Sequence, residues 1–149
     1  NLNSFDCDYY KFPTVIKNKK NNLPKEKSKL LMGQPITEDG VQESVVEYCE
    51  LCKIEVVHIP NEGKRSKSYG AKLKKLGMRK GFPDLFFPKA LNGYHGFFIE
   101  MKVDRDSKPT PEQINWIEKL NKEGYYALVC YGVAEAVKEI NRYFNIKSS

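Results

Sequence analysis

Gly81-Phe82-Pro83-Asp84-Leu85-Phe86-Phe87 and, a few residues on, Phe97-Phe98-Ile99-Glu100-Met101-Lys102 are the runs that decide how this chain folds. Both are aromatic and apolar, the composition of strands that fit a pleated, buried surface. Between them stands Asn92-Gly93, a dipeptide suited to tight turns whose central residues need positive φ. Strands are therefore expected over 82–87 and 94–103, joined by a turn around Asn92-Gly93. Three charged residues lie in or beside these runs, and burying a charge is costly unless it is paired or holds a metal. Side chains alternate along a strand, so Glu100 and Lys102 share a face. If Asp84 opens the neighbouring strand, its carboxylate can meet that of Glu100.

Working outward, Thr37-Glu38-Asp39 has the form of a helix start, a capping hydroxyl followed by acids in the first turn. Val41, Val45, Val46, Cys49 and Cys52 mark an apolar stripe along that helix. Residues 54–59 read as a short β-branched strand, closed by the turn Pro60-Asn61-Glu62-Gly63. Residues 68–76 read as a short basic helix ended by Gly77. Thr110-Pro111-Glu112-Gln113 opens another helix with a capping threonine and a proline at its first position. Ile114, Ile117, Leu120 and Asn121 follow, and Gly124 ends it. Residues 125–131 form an apolar strand, and 133–144 a last helix with Ala134, Val137, Ile140 and Phe144 on one face. This order predicts an α/β fold, a central mixed β-sheet flanked by helices.

With 149 residues the chain is expected to hold one domain. Residues 1–36 read as a basic N-terminal extension and 37–149 as the domain proper. The net charge of +6 is uneven. Residues 61–83 carry eight basic groups and one acid, whereas 84–149 balance nine against nine. A basic run placed directly before Asp84 points to a polyanion held against the carboxylates; a solvated loop and helix face is the competing reading. The four cysteines include Cys49-Glu50-Leu51-Cys52, but no second pair follows to complete a zinc site, so both are read as small hydrophobes. No 18-residue apolar run and no leader are visible, so an intracellular setting, cytoplasm or nucleoid of a host cell, with no membrane partner, is expected. The first residue is Asn1, which reads as a trimmed chain or part of a longer product.

Asp84 and Glu100 as converging carboxylates suit a hard divalent cation, and a lysine beside them can orient or deprotonate a water. That is equipment for metal-assisted phosphodiester hydrolysis. The motifs agree further with one family. Thr37-Glu38 with Val41-Gln42, residues 58–65 (HIPNEGKR), Leu73-Lys74-Lys75-Leu76-Gly77, Gly81-Phe82-Pro83-Asp84-Leu85, Ile99-Glu100-Met101-Lys102, Thr110-Pro111-Glu112-Gln113 and Glu135-Ala136 occur in the order seen in VRR-Nuc (virus-type replication-repair nuclease) domains. The chain resembles that branch of the PD-(D/E)xK nucleases over about residues 37–144. Glu62 stands where the family often has a second glycine.

The resemblance implies a restriction-endonuclease-like core and an endonuclease dependent on Mg²⁺ or Mn²⁺, acting on DNA and often on branched DNA. It implies that Asp84, Glu100 and the Met101 carbonyl bind the metal and that Lys102 activates the attacking water. Glu38, or Glu43 in its place, approaches the metal through water, and Gln113 braces Lys102 or a phosphate. Gln42, Asn61, Lys64, Arg65, Lys67, Lys72, Lys75, Arg79 and Lys80 are the expected DNA contacts. Stand-alone relatives resemble Holliday-junction resolvases and work as homodimers, for which Phe86, Phe87 and Leu91, and Tyr9, Tyr10 and Phe12 of the extension, offer candidate exposed apolar surface. Each residue has a plainer alternative: a turn aspartate at Asp84, an exposed cross-strand ion pair at Glu100 and Lys102, a capping box at Gln113, and a first-turn acid at Glu38. A restriction-type duplex nuclease and a catalytically inactive DNA-binding module are the rival functions.

Overall fold

The computed structural model describes residues 37–60 and 67–147. Thr37 accepts a hydrogen bond from the Gly40 amide at 3.1 Å and so starts α1 (Glu38–Leu51). Val41, Val45, Tyr48 and Cys49 are its buried stripe, with Val46 and Cys52 packed at the margin. β1 (Val57–His58) follows, then α2 (Lys67–Lys75), β2 (Leu85–Phe87), β3 (Phe97–Lys102), α3 (Pro111–Lys122), β4 (Tyr126–Tyr131) and α4 (Gly132–Phe144). The four strands form one mixed sheet in the order β1-β2-β3-β4, antiparallel except for the parallel pair β3–β4. The helix α3 carries the chain between the two parallel strands, as such a crossover requires.

All six side chains of β3 are buried, so both faces of the sheet are covered. Phe97, Ile99 and Met101 join Leu85 and Phe87 in the larger core under α1 and α4. Phe98 lies on the opposite face with Leu120 of α3 and Ala127 of β4. Asn121 also belongs to that face. Its amide clasps Ala127 from both sides, donating to the carbonyl at 2.8 Å and accepting from the N–H at 3.1 Å.

Several elements differ from the sequence reading. The strand expected over 54–59 pairs only at Val57–His58, because its partner β2 is three residues long. Pro88, which has no amide to donate, follows β2 directly. The Asn92-Gly93 turn is present, with φ of 54° and 83°, but it bridges only Leu91 and Tyr94 beyond the strand ends. The stripe of α4 is Ala136, Val137, Ile140 and Tyr143, with Ala134 exposed, because the Tyr143 ring packs inside while its hydroxyl donates to the Lys89 carbonyl at 2.7 Å. Ile114 faces solvent. Phe87 is fully buried and Phe86 half-buried, stacked on Phe98 at 4.5 Å, and Leu91 packs against the core. These three residues are internal packing, not an exposed apolar surface. Among the described residues, no helix is long and apolar enough to cross a membrane.

Candidate active site

The β2–β3 register pairs Leu85 with Ile99, so one step further back Asp84 stands opposite Glu100. Asp84 is half-buried, and its Oδ2 accepts from the Met101 amide at 2.8 Å. This bond ties the carboxylate to the strand that carries the second acid, which a plain turn aspartate has no need of. Glu38 enters from the first turn of α1. Among the described residues, Glu38, Asp84 and Glu100 form a carboxylate cluster with one oxygen of each within 4.8 Å of the others. Glu43, the alternative to Glu38, is exposed and outside this cluster.

Glu100 and Lys102 are 1% and 7% exposed, so they are no surface ion-pair stripe. Lys102 Nζ donates to Glu38 Oε1 at 2.6 Å, to Glu100 Oε1 at 2.8 Å and to the Met101 carbonyl at 3.1 Å. These acceptors match the three donors of an ammonium. Burial opposes its charge, but the hydrogen bonds it donates to Glu100 and Glu38 prevail and hold Lys102 above the usual lysine range. The Met101 carbonyl, assigned to the metal by resemblance, accepts from Lys102 and keeps a second lone pair. Burial, reinforced by the neighbouring Asp84 charge and only partly countered by Lys102, pushes the Glu100 carboxyl up to about 8.

Gln113 completes the capping box and also reaches the carboxylate cluster. Its Oε1 accepts from the Thr110 amide at 2.7 Å while its own amide donates to Thr110 Oγ1 at 3.3 Å, completing a capping box. With the side-chain oxygen committed to Thr110, the NH₂ end points inward and donates to Glu100 Oε1. Its side-chain partner is thus Glu100, not Lys102. Glu100 Oε1 is engaged by both Lys102 and Gln113, whereas Glu100 Oε2 is buried without a hydrogen-bond partner. A buried carboxylate oxygen so placed, among two further carboxylates, suits a hard cation with oxygen ligands. The residues present therefore fit Mg²⁺ or Mn²⁺.

The expected DNA contacts are scattered around this centre. Gln42 is half-buried one turn beyond Glu38. Lys72 and Lys75 are exposed on α2, and Arg79 is exposed, donating to the carbonyls of Lys74 and Met78. Lys80 pairs with Glu112 at 2.9 Å, a pair with both side chains well exposed. Asn61, Lys64, Arg65 and the Lys67 side chain lie outside the described residues, as does the extension 1–36. Cys49 and Cys52 are not joined in a disulfide, and burial followed by the proximity of Cys52 pushes the Cys49 thiol up to about 12, in keeping with its reading as a small hydrophobe. Sequence reasoning passed over Trp116, one turn after Gln113. The signal was available as the single tryptophan of the chain on the helix that carries the bracing glutamine.

The model of the VRR-NUC domain family matches residues 27–134. Among solved structures, a VRR_NUC domain protein is 34% identical, with a TM-score of 0.66 over 77% of this chain and 93% of its own. A second, a VRR_NUC domain, is 27% identical, with a TM-score of 0.50 over 71% of this chain and 96% of its own. No curated protein matches.

Proposed function

The chain belongs to the VRR-NUC family, and on that premise we propose that it is a divalent-metal-dependent DNA endonuclease that cuts branched DNA as a homodimer. The observation that carries the reading is the Glu100 carboxylate, one oxygen engaged and the other buried without a partner in a cluster with Asp84 and Glu38. These three residues, with the Met101 carbonyl beside them, would hold Mg²⁺ or Mn²⁺. When bound, such an ion lowers the pKa of a coordinated water and stabilises charge on the phosphoryl and leaving oxygens.

The remaining work falls to the chain's own groups. Gln113 holds Glu100 Oε1 in place through its side-chain amide. Lys102 is an ammonium while Glu38 and Glu100 hold its proton. As those carboxylates are neutralised, its proton affinity falls; Nζ would then give up its proton to solvent and, as the neutral amine, orient the attacking water and accept a proton from it. In-line attack on phosphorus expels the 3′ oxygen and leaves 5′-phosphate and 3′-hydroxyl ends. Gln42, Asn61 and the basic residues Lys64, Arg65, Lys67, Lys72, Lys75, Arg79 and Lys80 would bind the phosphodiester backbone without reading bases.

Resolving a four-way junction requires two symmetric nicks, which a two-fold dimer supplies by geometry. The test is a panel of labelled linear duplex, flap and four-way junction, with and without Mg²⁺, beside light scattering of the protein. Cleavage only with metal, fastest on the junction, by a dimer is expected. A monomer that prefers flaps overturns the resolvase part, and no cleavage of any substrate overturns the nuclease assignment.

A further inference from the structure

Asp84 and Glu100 are joined by a second route besides the Met101 amide, and it passes through Trp116. Trp116 Nε1 donates to the Lys80 carbonyl at 3.2 Å, and its ring packs edge-on against Phe82 at 4.9 Å. Phe82 in turn packs edge-on against Phe98, two residues before Glu100. Between Lys80 and Phe82, Gly81 is buried at φ +77° against the first turn of α3. A Cβ there would come within 2.8 Å of the Gln113 nitrogen and the Glu112 carbonyl carbon. The segment leading to Asp84 thus lies backbone to backbone on the residue that braces Glu100.

The contacts close a circuit: Trp116 to Lys80, along the chain to Asp84, across to Met101 and Glu100, through Gln113 and back along α3 to Trp116. We propose that Trp116 is a positioning residue that fastens the Asp84 segment to α3 and so sets the relative placement of the two metal-binding carboxylates; this rests on the metal-nuclease reading above. The far half of α3 is held separately, by buried Leu120 and by the Asn121 clasp on Ala127. Loosening Trp116 therefore frees the end that carries Gln113 without releasing the helix. The exposed Lys80–Glu112 pair spans the same junction, but such a pair contributes little.

Calorimetric Mn²⁺ titration of the full chain tests the proposal. Trp116→Phe keeps a ring against Phe82 and removes the indole N–H. It should weaken Mn²⁺ binding about fivefold, short of the roughly 10- to 100-fold cost of losing a direct outer partner of a ligand. Tyr143→Phe is the control for general destabilisation, since it removes the hydrogen bond that the hydroxyl donates to the Lys89 carbonyl and the one it accepts from the Leu91 amide, both in the other layer. It should lower the melting temperature yet leave Mn²⁺ affinity at the wild-type value. Asp84→Asn should abolish binding. Wild-type affinity in Trp116→Phe, or an equal loss in Tyr143→Phe, overturns the positioning role. Retained affinity in Asp84→Asn overturns the metal site itself and the inference with it.

Discussion

The two faces of β3 are equally buried and chemically opposed. Phe97, Ile99 and Met101 are all 0% exposed among aromatic and aliphatic neighbours, and Phe97 alone contacts the rings of Phe87, Tyr126 and Tyr143. Phe98, Glu100 and Lys102 occupy the other face, where the strand begins apolar and ends in a buried carboxylate and a buried ammonium. Each large side chain on the first face contributes about 1.5–3 kcal/mol through burial. The charges on the second face carry a desolvation cost that their pairing offsets at best. One strand therefore has a face that holds the fold together and a face that the fold must hold in place.

The largest effects should separate these faces. Lys102→Met keeps the length of the side chain and removes the charge. It should lower kcat roughly 10²–10⁴-fold with DNA affinity nearly unchanged, since one buried lysine is a small part of the basic surface. Phe97→Ala should do the reverse, costing about 3–5 kcal/mol of stability while each folded molecule keeps its kcat. Denaturant unfolding and single-turnover cleavage, run on both variants, measure the two quantities. The division between faces fails if Phe97→Ala loses kcat per folded molecule as heavily as Lys102→Met does.

How much of this division was legible in the sequence depended on which force set each feature. Asp84, Glu100 and Lys102 were visible because charges inside Phe-rich runs demand an explanation, and the period-two alternation put Glu100 and Lys102 on one face. Helix α3 was visible through Thr110, Pro111 and Gln113, whose capping chemistry is local. The burial of Phe86 and Phe87 was not, because helices cover both faces of the sheet and leave no polar alternation to read. Nor was the short pairing of β1, which depends on the length of a partner 27 residues on. The contact of Gln113 with Glu100 was not legible, because its amide orientation is set by Thr110, and only the folded backbone shows that the free end then meets Glu100. Trp116 was missed because it acts on a backbone carbonyl, a partner without sequence identity.

A pH titration sharpens the comparison at an intermediate scale. Burial and the Asp84 charge push the Glu100 carboxyl from an ordinary 4.5 up to about 8. The fold thus prefers the protonated acid. That contribution to stability is complete below the ordinary value and is lost as pH rises through about 8. Each unit of displacement corresponds to about 1.4 kcal/mol, and the displacement already includes the opposing pull of Lys102, so the expected loss is on the order of a few kcal/mol. Melting temperatures of metal-free protein between pH 5 and about 8.5 should fall relative to those of Glu100→Gln, which has no proton to lose. Saturating Mg²⁺ should narrow that gap at the alkaline end. A gap between the two proteins that does not vary with pH would contradict the strained carboxyl.

The smallest effect contrasts the buried lysine with exposed ones. Lys72 and Lys75 stand three residues apart on α2, so they share a helix face open to solvent. Their charges are already hydrated, so removing them should change stability by no more than about 0.5 kcal/mol. Their value lies in counterion release: each phosphate they neutralise adds about 0.9 to the slope of log affinity against log salt. The double variant Lys72→Ala, Lys75→Ala should therefore bind every DNA more weakly, with a slope shallower by up to about 1.8, and the lost cleavage should fall on KM. Lys102→Met should leave that slope alone, because its ammonium faces carboxylates and a carbonyl in the fold. Fluorescence anisotropy of labelled duplex and junction over a salt series reads both variants at once. An unchanged slope in the double variant would make α2 a solvated surface and move the DNA path elsewhere. An altered slope in Lys102→Met would mean that the buried ammonium reaches phosphate before any chemistry begins.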